Sequence, residues 1–407
     1  MSDLTQTPNM TRAGPFRPAL TLRLRGHGVA ILLVAPLLVF LLLTWVLPVV
    51  LMLWRSVDNP EIAGMMPRTA AALAEWDGEG LPDEATMAAA IAEFRAADAE
   101  RTTGLIGRRL NLVEPGWLGL IRKTGARADR LEPPFAESLP ALDQKWADPR
   151  IWQEIKRLSS PVTPDYLLAT LDRRVGAEGI ERVEPVYRVH LDALVRTFLI
   201  SASVCAACLI LGFPLAFLMA AASPRLTMIL MGVVLLPFWM SLLARTAAWV
   251  VLLQGQGVVN KALISLGLIT EPLSLMFNRT GVLIAMTHVM LPYMILPLYA
   301  ALRTIPIEMV RAGLSLGGTP ITVFRRIYLP LAAPGIMAGL VLVGVMSLGY
   351  YITPALVGGP GDQMLAWFIA FNTSVALNWG LASALAVLLL VAVGLLYALY
   401  RALLRGR

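Results

Sequence analysis

The sequence predicts an all-α polytopic membrane protein of six transmembrane helices, with a large, mainly α insert between helices 1 and 2. Three observations carry this. Of 407 residues, 57% are hydrophobic and only 15% charged, and a mean hydropathy of +0.68 is too high for an ordinary soluble enzyme. Six apolar runs, at 29–53, 198–222, 226–253, 281–302, 331–351 and 379–400, are long enough to span a bilayer. About 20 residues are needed to cross a core of roughly 30 Å, because every backbone N–H and C=O there must be satisfied within the segment. Only one long stretch, 55–192, has soluble composition. The chain therefore divides into a tail (1–28), a first transmembrane helix (29–54), the insert (55–192) and a five-helix core (193–407) containing a loop at 303–334.

The first run follows Arg23 and Arg25, as a secretory signal would, but it holds 25 uncharged residues and ends in "VLPVVLMLW" with no small-x-small exit. It reads as a retained helix. Charge distribution sets the expected orientation. The insert carries 18 Lys/Arg against 23 Asp/Glu, a net of −5, so the overall +7 leaves +12 for the remainder. Placing both termini in the cytoplasm puts Arg12, Arg17, Arg23, Arg25, Arg225, Arg303, Arg311, Arg325, Arg326, Arg401, Arg405 and Arg407 inside, and leaves only Lys261 and Arg279 in the two short outer loops. This is the positive-inside pattern. It puts the insert outside, and it accounts for the basic charge without nucleic acid.

Within the insert, "DEATMAAAIAEFRAADAE" spaces Met87, Ile91, Phe94 and Ala97 on one helical face, with acidic residues in its first turn. "DPRIWQEIKRL" and "TPDYLLATLDRRV" read as two further helices, each opening on an N-cap residue followed by Pro. A small, mainly α domain is the expectation; loosely packed amphipathic helices lying on the membrane face are the alternative. Cys205 and Cys208 fall inside an apolar run and read as packing residues. His27, His190 and His288 are isolated, and no Cys/His spacing suggests a metal site.

Polar residues inside the spans are few. Arg245 interrupts the third run; it reads either as lining a solute path or, our preferred reading, as a snorkelling residue that holds the bundle through carbonyl contacts. The apolar runs contain no Asp or Glu, which argues against a proton relay. Pro237, Pro292 and Pro297 should kink their helices. Trp239, Trp249, Tyr293, Tyr350, Tyr351 and Trp367 offer faces to a cation, or else anchor and pack the bundle. Asp362, in "GGPGD", reads as a solvated turn with a solute contact as the other reading.

The loop between the fourth and fifth runs, "IPIEMVRAGLSLGGTPITVFRRIYLP", is patterned as two short helices. Pro306 and Glu308 suit a helix start, and Met309, Ala312, Gly313 and Leu316 share a face. Gly317 and Gly318 end this helix, Thr319 and Pro320 begin another, Ile321, Phe324 and Ile327 form a stripe with Arg325 and Arg326 off it, and Leu329-Pro330 should stop it. Such a surface fits a partner's groove. It equally fits a membrane surface of anionic lipid headgroups.

The pattern I-P-x-x-x-x-x-A-G-x-x-x-G followed by I-x-L-P is similar to the EAA loop of membrane subunits of binding-protein-dependent ABC importers. The Glu-Ala-Ala triplet falls on Arg311, Ala312 and Gly313, the family glycine on Gly317, and the ending on Ile327, Leu329 and Pro330. Two triplet residues differ, and Arg311 reverses a charge, so the contact of the family glutamate does not carry over. "RTAAWVVLLQGQGVVNKALISLGLI", "NRTGVLIAMTHVMLPYMILPLYAALRTIP" and "YYITPALVGGPGDQM" resemble segments of the spermidine/putrescine class of these permeases; the long insert departs from it.

The resemblance implies a type I importer permease fold in a bacterial inner membrane and alternating access. It also implies partners: an ABC ATPase dimer docked on 303–334, a second permease subunit, either identical or, as the polyamine-type resemblance favours, a paralogue, and a periplasmic solute-binding protein. The sequence has no G-x-x-x-x-G-K-[ST] loop, so ATP and Mg are expected on the ATPase and no cofactor or catalytic residue on this chain. Opines, amino-acid derivatives and organic anions are alternative solutes; a secondary transporter and a membrane receptor are alternative classes.

Overall fold

The computed structural model describes residues 33–176 and 179–405. The tail 1–28, with Arg12, Arg17, Arg23 and Arg25, lies outside the described residues, as does Arg407. Helix α1 (Leu33–Arg55) has no charged residue before its last position and is long enough to span. It contains one wide π turn, Leu42–Val46, closed by the Leu47 N–H on the Leu42 carbonyl, just before Pro48.

The insert holds α2 (Pro60–Met65), α3 (Pro67–Glu75), α4 (Glu84–Ala99), α5 (Thr103–Asn111), α6 (Trp117–Gly125), α7 (Phe135–Leu142), α8 (Pro149–Leu158) and α9 (Asp165–Thr170). Asp83 caps α4 by accepting the Thr86 N–H at 3.0 Å, and Asp148 caps α8 by accepting from Arg150 N at 2.9 Å. Met87, Ile91, Phe94 and Ala97 are all buried, in one apolar core with Leu73, Ile106, Ile121, Trp146, Trp152 and Ile155. Trp146 sits between Phe94 and Trp152, with ring centroids 5.8 and 5.1 Å away, and donates its indole N–H to Thr124 Oγ1 at 2.9 Å. A shared core of this kind replaces the alternative of loosely packed surface helices. The chain is not purely α: "TPDYLLATLDRRV" is helical only to Thr170, and its last residues pair as β1 (Arg173–Gly176) antiparallel to β2 (Gly179–Arg182).

Two joints fasten the insert to the bundle. Asp172 caps α10 (His190–Ala221), its carboxylate accepting the backbone N–H groups of Val189, His190 and Leu191 at 3.0–3.2 Å. Tyr166 of α9 packs with Leu381 and Leu385 of α19 (Trp379–Arg405) and Ala193 of α10. Arg109, almost fully buried, lies over the Tyr166 ring at 4.9 Å and donates to Asn59 Oδ1 at 2.6 Å and Asp165 Oδ2 at 2.8 Å. Burial raises the Asp165 pKa, but hydrogen bonds from Arg157 and Arg109 outweigh it and hold the carboxyl below its usual range. Burial pushes the Tyr166 hydroxyl up to about 12.

In the bundle, α11 (Pro224–Leu235) is followed by a 3₁₀ turn (Leu236–Trp239), α12 (Leu242–Leu253) and α13 (Val258–Ser265). The third apolar run is therefore two helices rather than one span. Pro237 cannot donate into an α ladder, and Ser241 restarts the chain by capping Ala244 N at 3.1 Å. Only Leu242–Ser265, taking α12 and α13 together, is long enough to cross. Helix α14 (Arg279–Arg303) is the most buried span and packs between α10 and α16 (Pro320–Leu348). Gly335 and Gly339 of α16 permit this approach: a Cβ on either would stand 2.4 Å from Ala301 Cβ or 2.6 Å from Met294 Sδ. Cys208 is buried in the same core and Cys205 half-buried. Helices α15 (Ile307–Ser315), α17 (Ile352–Val357) and α18 (Leu365–Ser374) complete the core, and among the described residues six helices are long and apolar enough to cross a membrane.

Candidate functional site

Loop 303–334 folds as a hairpin of α15 and the first turns of α16. Glu308 lies in the first turn of α15, after Pro306. The helix ends on Gly317, whose φ of +85° lies in the left-handed region, with Gly318 N–H donating to the Gly313 carbonyl at 3.1 Å. Thr319 then caps the next helix, accepting from Thr322 N at 3.3 Å.

Close packing falls elsewhere. A Cβ at Gly317 would meet nothing, whereas one at Gly313 would stand 2.6 Å from Ile327 Cδ1 and 3.1 Å from Val323 Cγ2. Val323 is buried while Ile321 and Phe324 are exposed, so the packed stripe is Val323 and Ile327 rather than the expected Ile321, Phe324 and Ile327.

Leu329-Pro330 does not stop the second helix. A π turn, Phe324–Tyr328, closed by the Leu329 N–H on the Phe324 carbonyl, loosens the turn against which the Pro330 ring would press, and the helix continues to Leu348. The same wide turn precedes Pro48 in α1. The hairpin is thus a rigid extension of a span. Phe324 packs edge-on to Phe213, and Tyr328 to Phe217, tying it also to α10. Tyr328 was not singled out from sequence, although its i, i+4 spacing from Phe324 marks a shared face.

The outward side of the hairpin is apolar and basic. Leu316 is 88% exposed and Ile321 72%, and Met309, Ala312, Leu314, Arg311, Arg325, Arg326, Leu329 and Pro330 are exposed as well. Among the described residues Arg311 forms no ion pair, with Glu308 or any other group.

Inside the bundle, part of the expected solute path converges. Trp249 of α12 donates its indole N–H to His288 Nδ1 of α14 at 3.1 Å, their rings 5.2 Å apart. Thr246 meets Thr353 of α17 at 3.1 Å, and Thr353 meets the Tyr350 hydroxyl at 3.3 Å. Arg245 stands one turn before Trp249 on α12. Its expected carbonyl contacts are not found: among the described residues the Nε is buried without a partner. Tyr293 lies beside Phe238, centroids 5.2 Å apart. His288, expected to be isolated, belongs to this cluster.

Three other expected residues stand apart from it. Trp239 is 89% exposed in the 3₁₀ turn, and Tyr351 is exposed at the start of α17. Asp362 is buried rather than a solvated turn; it accepts from Arg279 Nε and from Gly359 N, each at 3.3 Å, pinning its loop to the start of α14.

Residues 212–407, which contain the hairpin and the polar cluster, match the family described as binding-protein-dependent transport system inner membrane component. The chain is 34% identical over 193 residues to the spermidine/putrescine transport system permease protein PotB of Haemophilus influenzae, covering 47% of this chain and 68% of that protein. It is 30% identical over 194 residues to PotB of Escherichia coli, covering 48% and 70%. The inner membrane ABC transporter permease protein YdcU of Escherichia coli is 36% identical over 186 residues, covering 42% and 59%.

Proposed function

The chain belongs to the family of binding-protein-dependent transport system inner membrane components, and from that premise we propose that it is half of the translocation path of an ATP-driven polyamine importer. ATP hydrolysis lies in a separate subunit, where ATP and Mg bind. The observation that carries the coupling role is the exposed hairpin, continuous with α16 and packed on α10 through Phe213 and Phe217. The hairpin docks into a cleft of an ATPase subunit, and closure of the two ATPase subunits on ATP is transmitted through it to turn the spans between inward-facing and outward-facing states. A lever of this kind works only if it docks differently in the two states, because a contact equal in both shifts nothing. The second helix of the hairpin, running without a break into its span, supports that reading.

A periplasmic binding protein delivers the solute, a second membrane subunit completes the path, and both termini face the cytoplasm of a bacterial inner membrane. The insert then lies on the outer side, braced on α10 and α19. Putrescine and spermidine are the solutes named for the relatives, and Trp249, Tyr293 and Tyr350 supply aromatic faces suited to cations. Uptake of radiolabelled putrescine by membrane vesicles bearing the whole transporter tests the assignment. Uptake should require ATP, the binding protein and this chain; uptake unchanged when this chain is deleted refutes it.

A further inference from the structure

Arg245 carries a permanent charge in an apolar helix, where an arginine is held by backbone carbonyls or by an anion; among the described residues its Nε is buried without a partner, so it calls for an anion. This chain does not supply one. From the start of α10 onward its side-chain carboxylates are Asp192, Glu271, Glu308 and Asp362, and Asp192 is exposed in the first turn of α10. Glu271 lies in the loop before α14, Glu308 is exposed on the hairpin, and Asp362 is taken by Arg279. Helix α1 contains none.

Arg245 is only partly exposed. It shares a helix face, one turn apart, with Trp249, which donates to His288 of α14. Beside it, Leu243, Ala244, Ala247, Ala248 and Val251 are exposed in the single chain, so α12 has an uncovered face. A solute of the polyamine class, on which this step rests, is itself a cation and cannot be the counter-ion.

We propose that Arg245 pairs with a carboxylate contributed by the second membrane subunit where the two halves meet.

The test uses the complete transporter, with both membrane subunits and the ATPase, in lipid nanodiscs. Arg245→Lys should hydrolyse ATP in response to putrescine-loaded binding protein as the wild type does, whereas Arg245→Glu should lose that response by roughly tenfold or more. Changing one Asp or Glu of the second subunit's spans to Lys should restore the Arg245→Glu complex. Should Arg245→Glu fail to assemble, cysteine at 245 paired with cysteine at each such carboxylate position decides, and one pair should cross-link on oxidation.

An Arg245→Gln complex that responds like the wild type overturns the proposal, as does the absence of any restoring or cross-linking position. Copurification reports separately on the reading beneath it. If no second membrane subunit accompanies the wild-type chain, the half-path assignment itself fails; if one does and no carboxylate answers Arg245, only the pairing fails.

Discussion

At Gly380 a side chain has no room: a Cβ there would stand 2.4 Å from the ring of Tyr166, which is itself held beneath Arg109. Gly380→Val should therefore destabilise the joint between insert and bundle by about 1–3 kcal/mol, as overpacking does elsewhere. Gly394→Val, with open space around its position, should cost far less; thermal unfolding in detergent compares the two.

Beside the same joint, Asp165 is held below its usual value of 3.8, so its contribution is complete above that pH and is lost as pH falls through the lower folded value. Acid titration should loosen the insert below about pH 4, and Asp165→Asn should flatten that dependence. Tyr166 acts at the other end: raised to about 12 from 10.0, it contributes stability below pH 10.0 that is lost as pH rises toward 12.

The joint itself was not legible in the sequence. Tyr166 and Gly380 are far apart in the chain and neither stands in a motif. Asp362 was misjudged for the same reason, since "GGPGD" reads as solvated until Arg279 is brought to it. Arg245 was legible as an exception to hydropathy, but His288 became informative only when α14 set it beside Trp249.

Between elements, the hairpin was largely readable, because glycine, proline and a capping threonine act locally. Gly317 ended one helix and Thr319 began the next where the pattern put them. The continuity into α16 was hidden: Pro330 reads as a stop, and only the preceding π turn makes it tolerable. Hydropathy likewise hid the break at Pro237, since proline barely changes the average of an apolar window.

Two glycines of the hairpin have different tasks: Gly313 allows close packing and Gly317 a left-handed turn. Gly317→Ala should cost roughly 1–2 kcal/mol for its left-handed backbone and leave the hairpin closed. Gly313→Leu should wedge α15 from Val323 and Ile327. Its expected signature is a complex that assembles with intact spans yet no longer couples, read by trypsin sensitivity of the hairpin together with ATP hydrolysis.

In the whole molecule the helical insert, the bundle and the hairpin are joined through two kinds of attachment. Asp172 and Tyr166 fix the insert to α10 and α19, while Phe324 and Tyr328 fix the hairpin to α10. Helix α10 is thus held at both ends. The six apolar runs made the membrane class legible, because burying backbone in lipid forces long uninterrupted runs. The insert's core was legible only as one amphipathic helix, and its tryptophan cluster arises from residues scattered over several others.

The most direct measurement is ATP hydrolysis and putrescine uptake by the complete transporter in proteoliposomes, comparing the wild-type chain with Gly313→Leu. The wild type should hydrolyse ATP faster with putrescine-loaded binding protein and accumulate putrescine, while Gly313→Leu should assemble but lose both responses. Uptake without the ATPase subunit, or an assembled Gly313→Leu complex that couples like the wild type, would contradict the account.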